Sequence, residues 1–210
     1  VAGADAVFNL VGVLYERGPQ SFEALHVRGA EVIARQAAAA GVQHLVQVSS
    51  LSADANSPSA YGRSKAAGEA AARAVFPAAT IMRPSLVFGA EDQFFNRFAG
   101  LARLAPALPL IAGGTAKFQP VYVGDVAAAI VRALEDPAAA GRTFELGGPR
   151  VYSFAELLRL TLSETGRHRP LIPLLAAPAK GMAFLAELAS ALSPLPMAPP
   201  LTRDQVTLLG

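Results

Sequence analysis

The sequence predicts an α/β fold built on a doubly wound parallel sheet, with a smaller C-terminal α/β appendage. Short apolar runs alternate with alanine-rich segments of helical length over the first two-thirds of the chain. Strands that alternate with helices in this way form parallel sheets with right-handed crossovers. The chain has 210 residues, of which 52% are hydrophobic and 16% charged. A chain of this length and composition buries a sizeable core and is not disordered.

Three apolar runs predict the first strands of the sheet, and a helix follows each of the first two. The predicted strands cover residues 7–13, 44–48 and 79–82. The first helix begins at a Ser21 cap and ends before Gly41. The second helix begins at a cap provided by Ser57 or Ser59 and ends near residue 75.

The alternation becomes less regular after residue 84. The elements predicted there are a helix over 91–104, a helix over 125–134 capped by Asp125, and a strand over 143–146. Ser153 and Glu156 have the spacing of a capping box, which begins one more helix. We therefore divide the chain into a sheet domain over 1–150, with interleaved C-terminal pieces, and a helical, proline-rich region over 151–210.

Composition excludes several classes of function. The net charge is only +2 and the arginines are scattered along the chain, so we expect no nucleic-acid partner. The chain contains no cysteine, which excludes disulfides, thiolate metal sites and cysteine nucleophiles. Its histidines, His26, His44 and His168, are isolated from one another in sequence, so we expect no metal site.

The segment 171–200 is apolar and rich in proline. Lys180, Glu187 and the prolines interrupt it, so we expect no transmembrane span. Two interpretations remain open for this segment. It either forms a helix packed on its own domain, or it provides an amphipathic surface close to a membrane or a large partner.

The pair Tyr61 and Lys65 is the strongest chemical signal in the sequence. Residues four apart on a helix lie one turn apart on the same face. An ammonium group beside a phenol stabilises the phenolate, so we expect Lys65 to lower the pKa of Tyr61 toward neutral pH. A phenol with such a pKa can transfer a proton in catalysis.

Residues at two strand ends are expected to face the same cleft as this pair. Ser49 and Ser50 end the second strand, and Pro84 and Ser85 end the third. Ligands of open parallel sheets bind at the carboxyl ends of the strands. A serine, a tyrosine and a lysine at one cleft suit carbonyl and alcohol redox chemistry, in which the serine orients the carbonyl and the tyrosine transfers the proton. Ser52 is the alternative to Ser50 in this role.

These motifs, in this order and spacing, resemble the short-chain dehydrogenase/reductase superfamily in its extended, NAD-dependent epimerase/dehydratase-like branch. More narrowly, the sequence is similar to the family of accessory NAD(P)-binding subunits of respiratory complex I (alpha-subcomplex subunit nine) and their bacterial relatives. The stretches that carry the narrower resemblance are 75–77, 81–85, 88–98, 119–126 and 201–206.

The resemblance implies a Rossmann-like domain that binds NADP(H) or NAD(H). Tyr61, Lys65 and Ser50 are then the catalytic-type residues, with Lys65 on the nicotinamide ribose. The implied cofactor-binding residues are Asn9, Val11, Gly12, Ser49, Tyr61, Lys65, Pro84, Ser85 and Phe88.

Some features depart from the family pattern. The Gly-rich turn that holds the pyrophosphate is absent and the chain begins without a methionine, so we interpret it as an interior part of a longer protein. We expect this part alone to bind dinucleotides poorly and to leave its first strand as an exposed sheet edge. His26 stands where many members have asparagine, and we expect it to be a helix residue packed at the surface of the domain rather than a base. Arg83 is expected to contact a ligand phosphate or to pair with Glu91 or Asp92.

The resemblance also implies a function. Complex I members of the family dock near the membrane and are regarded as structural or regulatory. We therefore expect an accessory or assembly subunit whose partners are a dinucleotide and complex I subunits, located in a bacterial cytoplasm and peripheral at the inner membrane. The alternatives are a free-standing NAD(P)-dependent oxidoreductase or sugar-nucleotide epimerase/dehydratase, and a non-catalytic redox sensor.

Overall fold

The computed structural model describes residues 3–192, 199 and 201–209. The chain folds into two compact units that interleave along the sequence. The first unit takes Val1–Ser85 and Val121–Gly147, and the second takes Leu86–Pro120 and Gly148–Gly210. The functional division at residue 150 stays a prediction.

The described residues contain ten strands and seven α-helices. The strands are β1 (Ala6–Asn9), β2 (His44–Val48), β3 (Thr80–Pro84), β4 (Val87–Phe88), β5 (Leu108–Ile111), β6 (Lys117–Phe118), β7 (Val121–Tyr122), β8 (Thr143–Leu146), β9 (Tyr152–Ser153) and β10 (Leu171–Leu174). The helices are α1 (Gly29–Ala39), α2 (Ala60–Val75), α3 (Phe95–Leu104), α4 (Val123–Glu135), α5 (Phe154–Glu164), α6 (Ala176–Leu192) and α7 (Arg203–Leu209). A π-helical segment, Glu23–Arg28, leads directly into α1, and single 3-10 turns lie at Ala112–Gly114 and Pro137–Ala139.

The first unit is built on a parallel sheet with the strand order β1-β2-β3-β8. Helices α1 and α2 pack together through small residues, because Ala30, Ala34 and Ala37 of α1 and Ala72 of α2 are all buried in one cluster with Leu45 of β2. Small side chains let helices approach closely. The predicted α/β fold is confirmed, and β1 lies at an edge of the sheet as expected.

The second unit has its own hydrophobic core. Strands β5 and β10 pair in parallel and β6 and β9 pair antiparallel. Phe154 and Leu158 of α5 pack with Leu108 of β5 and Val206 of α7. The predicted capping box of α5 is present, with Ser153 and Glu156 bonded to each other's backbone N–H groups.

Three element boundaries differ from the prediction for local reasons. Strand β1 ends at Asn9 because the Asn9 side chain accepts a hydrogen bond from the Val11 N–H, which turns the chain. Helix α3 begins only at Phe95, because the Asp92 carboxylate accepts a hydrogen bond from the Phe95 N–H and so caps the start of the helix from the preceding loop. Asp125 does not cap α4 but lies inside its first turn, where a carboxylate complements the helix dipole.

The C-terminal apolar segment is partly described. Helix α6 packs against the core of its unit through Ala179 and Ala183, and it exposes Met182, Leu185 and Leu188 on the outside. Among the described residues, no helix is both long and apolar enough to cross a membrane. Residues 193–198 and 200 of the predicted segment lie outside the described residues, and a role of this segment in partner binding stays a prediction.

Candidate functional site

Helix α2 begins at the carboxyl ends of the central strands and carries Tyr61 and Lys65. Ser59 is its N-cap, since the Ser59 hydroxyl accepts a hydrogen bond from the Gly62 N–H at 3.3 Å. Gly62 has no room for a side chain, because an added Cβ would lie 2.7 Å from the Ser52 carbonyl oxygen. The start of the helix is therefore packed directly on the loop that follows β2.

The Tyr61 phenol meets the predicted serine. Ser50 hydrogen-bonds to Tyr61, and the Ser50 and Ser52 hydroxyl oxygens lie 2.9 Å apart. The structure therefore brings Ser50 into contact with Tyr61 and places Ser52 behind Ser50. The three hydroxyl groups form a short chain.

The pKa of Tyr61 differs from the prediction. Burial raises the pKa of the phenol above its ordinary value, and the hydrogen bond from Ser50 lowers it only in part. The expectation that Lys65 lowers the pKa of Tyr61 is therefore wrong in this structure. The physical reason is that desolvation of the phenolate outweighs the favourable interactions, so Tyr61 holds its proton at neutral pH.

Lys65 is a buried cation held at the end of β2. Its Nζ donates a hydrogen bond to the Val48 carbonyl at 3.0 Å, and its side chain is only 6% exposed. Burial lowers the pKa of Lys65 from 10.5 to about 8, against the opposing effect of the Glu69 charge. Gly12 lies beside the ammonium, since a Cβ added at Gly12 would be 3.8 Å from Nζ.

The strand ends place the other predicted residues of the first unit. Asn9 is buried and donates to the Gln47 side chain at 2.7 Å, while Val11 is exposed. The Ser49 N–H is bonded to β3, and within the described residues the buried Ser49 hydroxyl has no hydrogen-bond partner. Buried polar atoms are rarely left unsatisfied, so this hydroxyl indicates a place for a further group.

Three predicted residues follow the third strand or belong to the other unit. Pro84 ends β3 and its carbonyl accepts from the Leu51 N–H, while the Ser85 N–H donates to Leu146. Phe88 lies in β4 of the second unit, where its ring meets that of Phe95 edge-on at a centroid distance of 6.1 Å. The roles of Pro84, Ser85 and Phe88 in cofactor binding stay predictions.

His26 is the site residue whose importance the sequence analysis missed. It is 3% exposed, so the predicted position at the domain surface is wrong. Its ring stacks on Phe22 at 5.2 Å and meets the Tyr61 ring edge-on at 5.5 Å. Burial and the Lys65 charge lower the pKa of His26 from 6.5 to about 4. The available signal was the spacing of Phe22 and His26, which puts both rings on one helix face.

Arg83 has different partners from those predicted. Its guanidinium makes two hydrogen bonds to the buried Glu69 carboxylate, at 2.9 and 2.7 Å, and lies 3.8 Å from Glu145. Pairing with Glu91 or Asp92 is therefore wrong. Glu69 follows Lys65 by one turn of α2, and its charge also raises the pKa of Lys65, against the larger effect of burial.

Comparison with known proteins decides the family. The sequence model of the NAD dependent epimerase/dehydratase family matches residues 1–147. The chain belongs to this family. Two solved structures share the fold. UDP-glucuronic acid 4-epimerase from Bacillus cereus has a TM-score of 0.70 at 17% identity, and the match covers 81% of this chain and 62% of that one. The dTDP-glucose 4,6-dehydratase DesIV from Streptomyces venezuelae has a TM-score of 0.70 at 21% identity, and the match covers 83% of this chain and 62% of that one.

Curated relatives within the epimerase/dehydratase family include complex I subunits. The chain is 46% identical to NADH dehydrogenase [ubiquinone] 1 alpha subcomplex subunit 9, mitochondrial, of Arabidopsis thaliana, over 76% of the chain and 40% of the relative. It is 43% identical to the subunit of the same name from Mus musculus, over 82% and 45%. A ceramide reductase of Caulobacter vibrioides is 35% identical over 64% and 42%.

These relatives confirm the resemblance to the alpha-subcomplex subunit nine family. The chain spans less than half the length of each of the three, from 40% to 45%. The complex I subunits among them carry the word mitochondrial in their names, so the presumed bacterial origin is not supported.

The residues of the first unit fit a dinucleotide of the kind the family name implies. The unsatisfied Ser49 hydroxyl is the observation that tests this fit. An ammonium has three protons to donate, and the one hydrogen bond described for Lys65, to Val48, leaves it able to donate to a ribose hydroxyl. Gly12 adds no side chain beside that ammonium.

Proposed function

We propose that this chain is the dinucleotide-binding part of an accessory or assembly subunit associated with NADH:ubiquinone oxidoreductase (complex I). The observation that carries the proposal is the buried Lys65, held on β2 one helical turn from the Tyr61–Ser50 pair. The similarity to subunits named for this complex supplies the partner. NAD(H) or NADP(H) binds at this place.

Three residues of the site have specific roles in this proposal. Lys65 donates to the cofactor ribose, and Ser49 supplies a further hydroxyl to the same ligand. Gly12 lets the ligand come close to the ammonium. The nicotinamide, when bound, supplies hydride transfer.

The state of Tyr61 supports a mainly structural use of the cofactor. A phenol whose pKa is raised by burial keeps its proton at neutral pH and is a weak general base. At neutral pH the site is therefore suited to binding a cofactor and poorly suited to abstracting a proton. An accessory subunit can use the cofactor in this way, and the proposed association with complex I places the protein peripherally at the membrane that carries the complex.

Affinity purification tests the partner. Full-length tagged protein is recovered from detergent-solubilised host membranes, with the tag alone as the control. We expect complex I subunits to co-purify with the tagged protein. If no complex I subunit is recovered above the control, the proposed association is refuted.

A free-standing oxidoreductase is the second candidate. The intact Ser50–Tyr61 hydrogen bond and the similarity to a protein named ceramide reductase favour it. Here Tyr61 gives its proton to a carbonyl oxygen of the substrate, and Ser50 and Ser52 orient that oxygen. The Tyr61→Phe variant removes this proton and abolishes NAD(P)H-dependent carbonyl reduction, so full turnover by the variant eliminates this candidate.

A further inference from the structure

His26 connects two segments of the candidate site through hydrogen bonds of fixed direction. The Val13 N–H donates to the His26 Nε2 at 3.0 Å. An Nε2 that accepts carries no proton, so in the neutral ring the proton is on Nδ1. Nδ1 lies 2.8 Å from the Ser64 hydroxyl, which in turn donates to the Tyr61 carbonyl at 2.8 Å. The chain of donors therefore runs from Val13 through His26 and Ser64 to the backbone of Tyr61.

Packing fixes the position of the His26 ring and backbone. The ring is stacked on Phe22 and makes an edge contact with the Tyr61 ring. Helix α2 touches the backbone of His26 at Gly68, where an added Cβ would lie 2.1 Å from the His26 carbonyl oxygen. The residue also lies in a π-helical segment, a local geometry that is frequent at functional sites.

The segment that His26 holds borders the buried cation. A Cβ added at Gly12 would lie 3.7 Å from the His26 Nε2 and 3.8 Å from the Lys65 Nζ. Gly12 precedes Val13, whose N–H is the donor to His26. Any movement of this hydrogen bond therefore changes the space beside the ammonium.

We propose that His26 is a positioning residue of the dinucleotide site: as the Nδ1–H tautomer it fixes the segment of Gly12 and Val13 against the helix that carries Tyr61 and Lys65. The inference rests on the proposed dinucleotide binding. His26 does not relay a proton from Tyr61, because both ring nitrogens are engaged elsewhere and Ser64 bonds to the tyrosine backbone rather than to its phenol.

Two substitutions separate the two hydrogen bonds of the ring. In His26→Gln the amide oxygen can reach the place of Nε2 and accept from Val13, whereas in His26→Asn the shorter side chain reaches only the place of Nδ1. We expect His26→Asn to weaken NADH or NADPH binding by the full-length protein by about five- to tenfold, the effect of leaving the partly buried Val13 N–H without its acceptor. We expect His26→Gln to stay within about twofold of the wild type.

Controls and a second readout keep the outcomes distinct. The exposed His168→Asn should leave binding unchanged. Wild-type affinity in His26→Asn, or equal losses in both His26 variants, overturns the inference, because a role in packing alone does not distinguish them. No binding of either nucleotide by the wild type refutes the proposed function itself.

The tautomer of His26 can be measured in the wild type, so the result does not depend on whether a variant folds. Long-range 1H–15N correlation spectra of the wild type at neutral pH record the imidazole nitrogens, and comparison with the spectrum of His26→Gln, which lacks this ring, identifies the His26 signals. We expect a protonated Nδ1 and an unprotonated Nε2. A protonated Nε2 would contradict the inference whatever the binding data show.

Discussion

Replacing Lys65 by methionine should stabilise the folded chain while damaging the site. Burial lowers the pKa of Lys65 from 10.5 to about 8. At about 1.4 kcal/mol for each pH unit by which a pKa is displaced, the charged form costs about 3 kcal/mol in the folded state. Removing the ammonium takes away one of the two donors to the Val48 carbonyl, the other being the Gln47 side-chain amide at 3.3 Å, and the lost hydrogen bond costs about 1 kcal/mol. The variant should therefore be more stable than the wild type by about 2 kcal/mol at neutral pH.

The sign of the pH dependence follows from linkage. The pKa of Lys65 is lower in the folded than in the unfolded state, so below pH 8 both states carry the charge and the cost is complete. Between pH 8 and 10.5 the unfolded state binds the proton and the folded state does not. Wild-type stability from this group therefore rises with pH across that window, and Lys65→Met lacks the rise.

Urea unfolding at neutral pH and at several values within that window measures both effects. Lys180→Met is the matched control, because Lys180 is exposed and its substitution should change the free energy of unfolding by less than about 0.5 kcal/mol. A Lys65→Met variant that is less stable than the wild type at neutral pH refutes the reasoning, because the lost contacts of Lys65 would then outweigh its desolvation.

Three further perturbations test the first unit. The pKa of His26 is lowered from 6.5 to about 4, so the unfolded state takes up a proton first as the pH falls. Up to about 3 kcal/mol of stability is lost across that window. In urea unfolding at a series of pH values, His26→Gln should show a smaller loss of stability over the same window. Glu69→Gln breaks the buried pair with Arg83 and should cost about 3 kcal/mol in urea unfolding; a loss below about 1 kcal/mol would contradict the buried pairing. Gly68→Ala forces a Cβ against backbone and should lower the free energy of unfolding by at least about 1–3 kcal/mol, whereas Gly100→Ala, which has open space in α3, should be neutral or stabilising by calorimetry.

The features that the sequence predicted correctly are local. Strand β2 at His44–Val48 and strand β8 at Thr143–Leu146 have the predicted bounds, because each is a short β-forming run with clear ends. The Ser59 cap and the capping box of Ser153 are also set within a few residues of chain. The position of Tyr61 and Lys65 on one face of α2 follows from the helical period alone.

The features that sequence reasoning missed depend on packing between distant segments. Arg83 finds Glu69 because α2 lies against β3, a contact that no local pattern specifies. His26 is buried because two rings enclose it, one of them from α2. The direction of the Tyr61 pKa depends on how much water the fold excludes, which spacing alone does not determine.

The central claim is that Lys65 is kept in a buried position to bind a dinucleotide. Titration of the full-length protein with NADH and with NADPH, followed by nicotinamide fluorescence, tests it directly in the wild type, Lys65→Met and Lys180→Met. Loss of a charged hydrogen-bond donor should weaken binding of the better ligand by at least about tenfold in Lys65→Met, while Lys180→Met binds like the wild type. Equal affinity of Lys65→Met and the wild type would contradict the account.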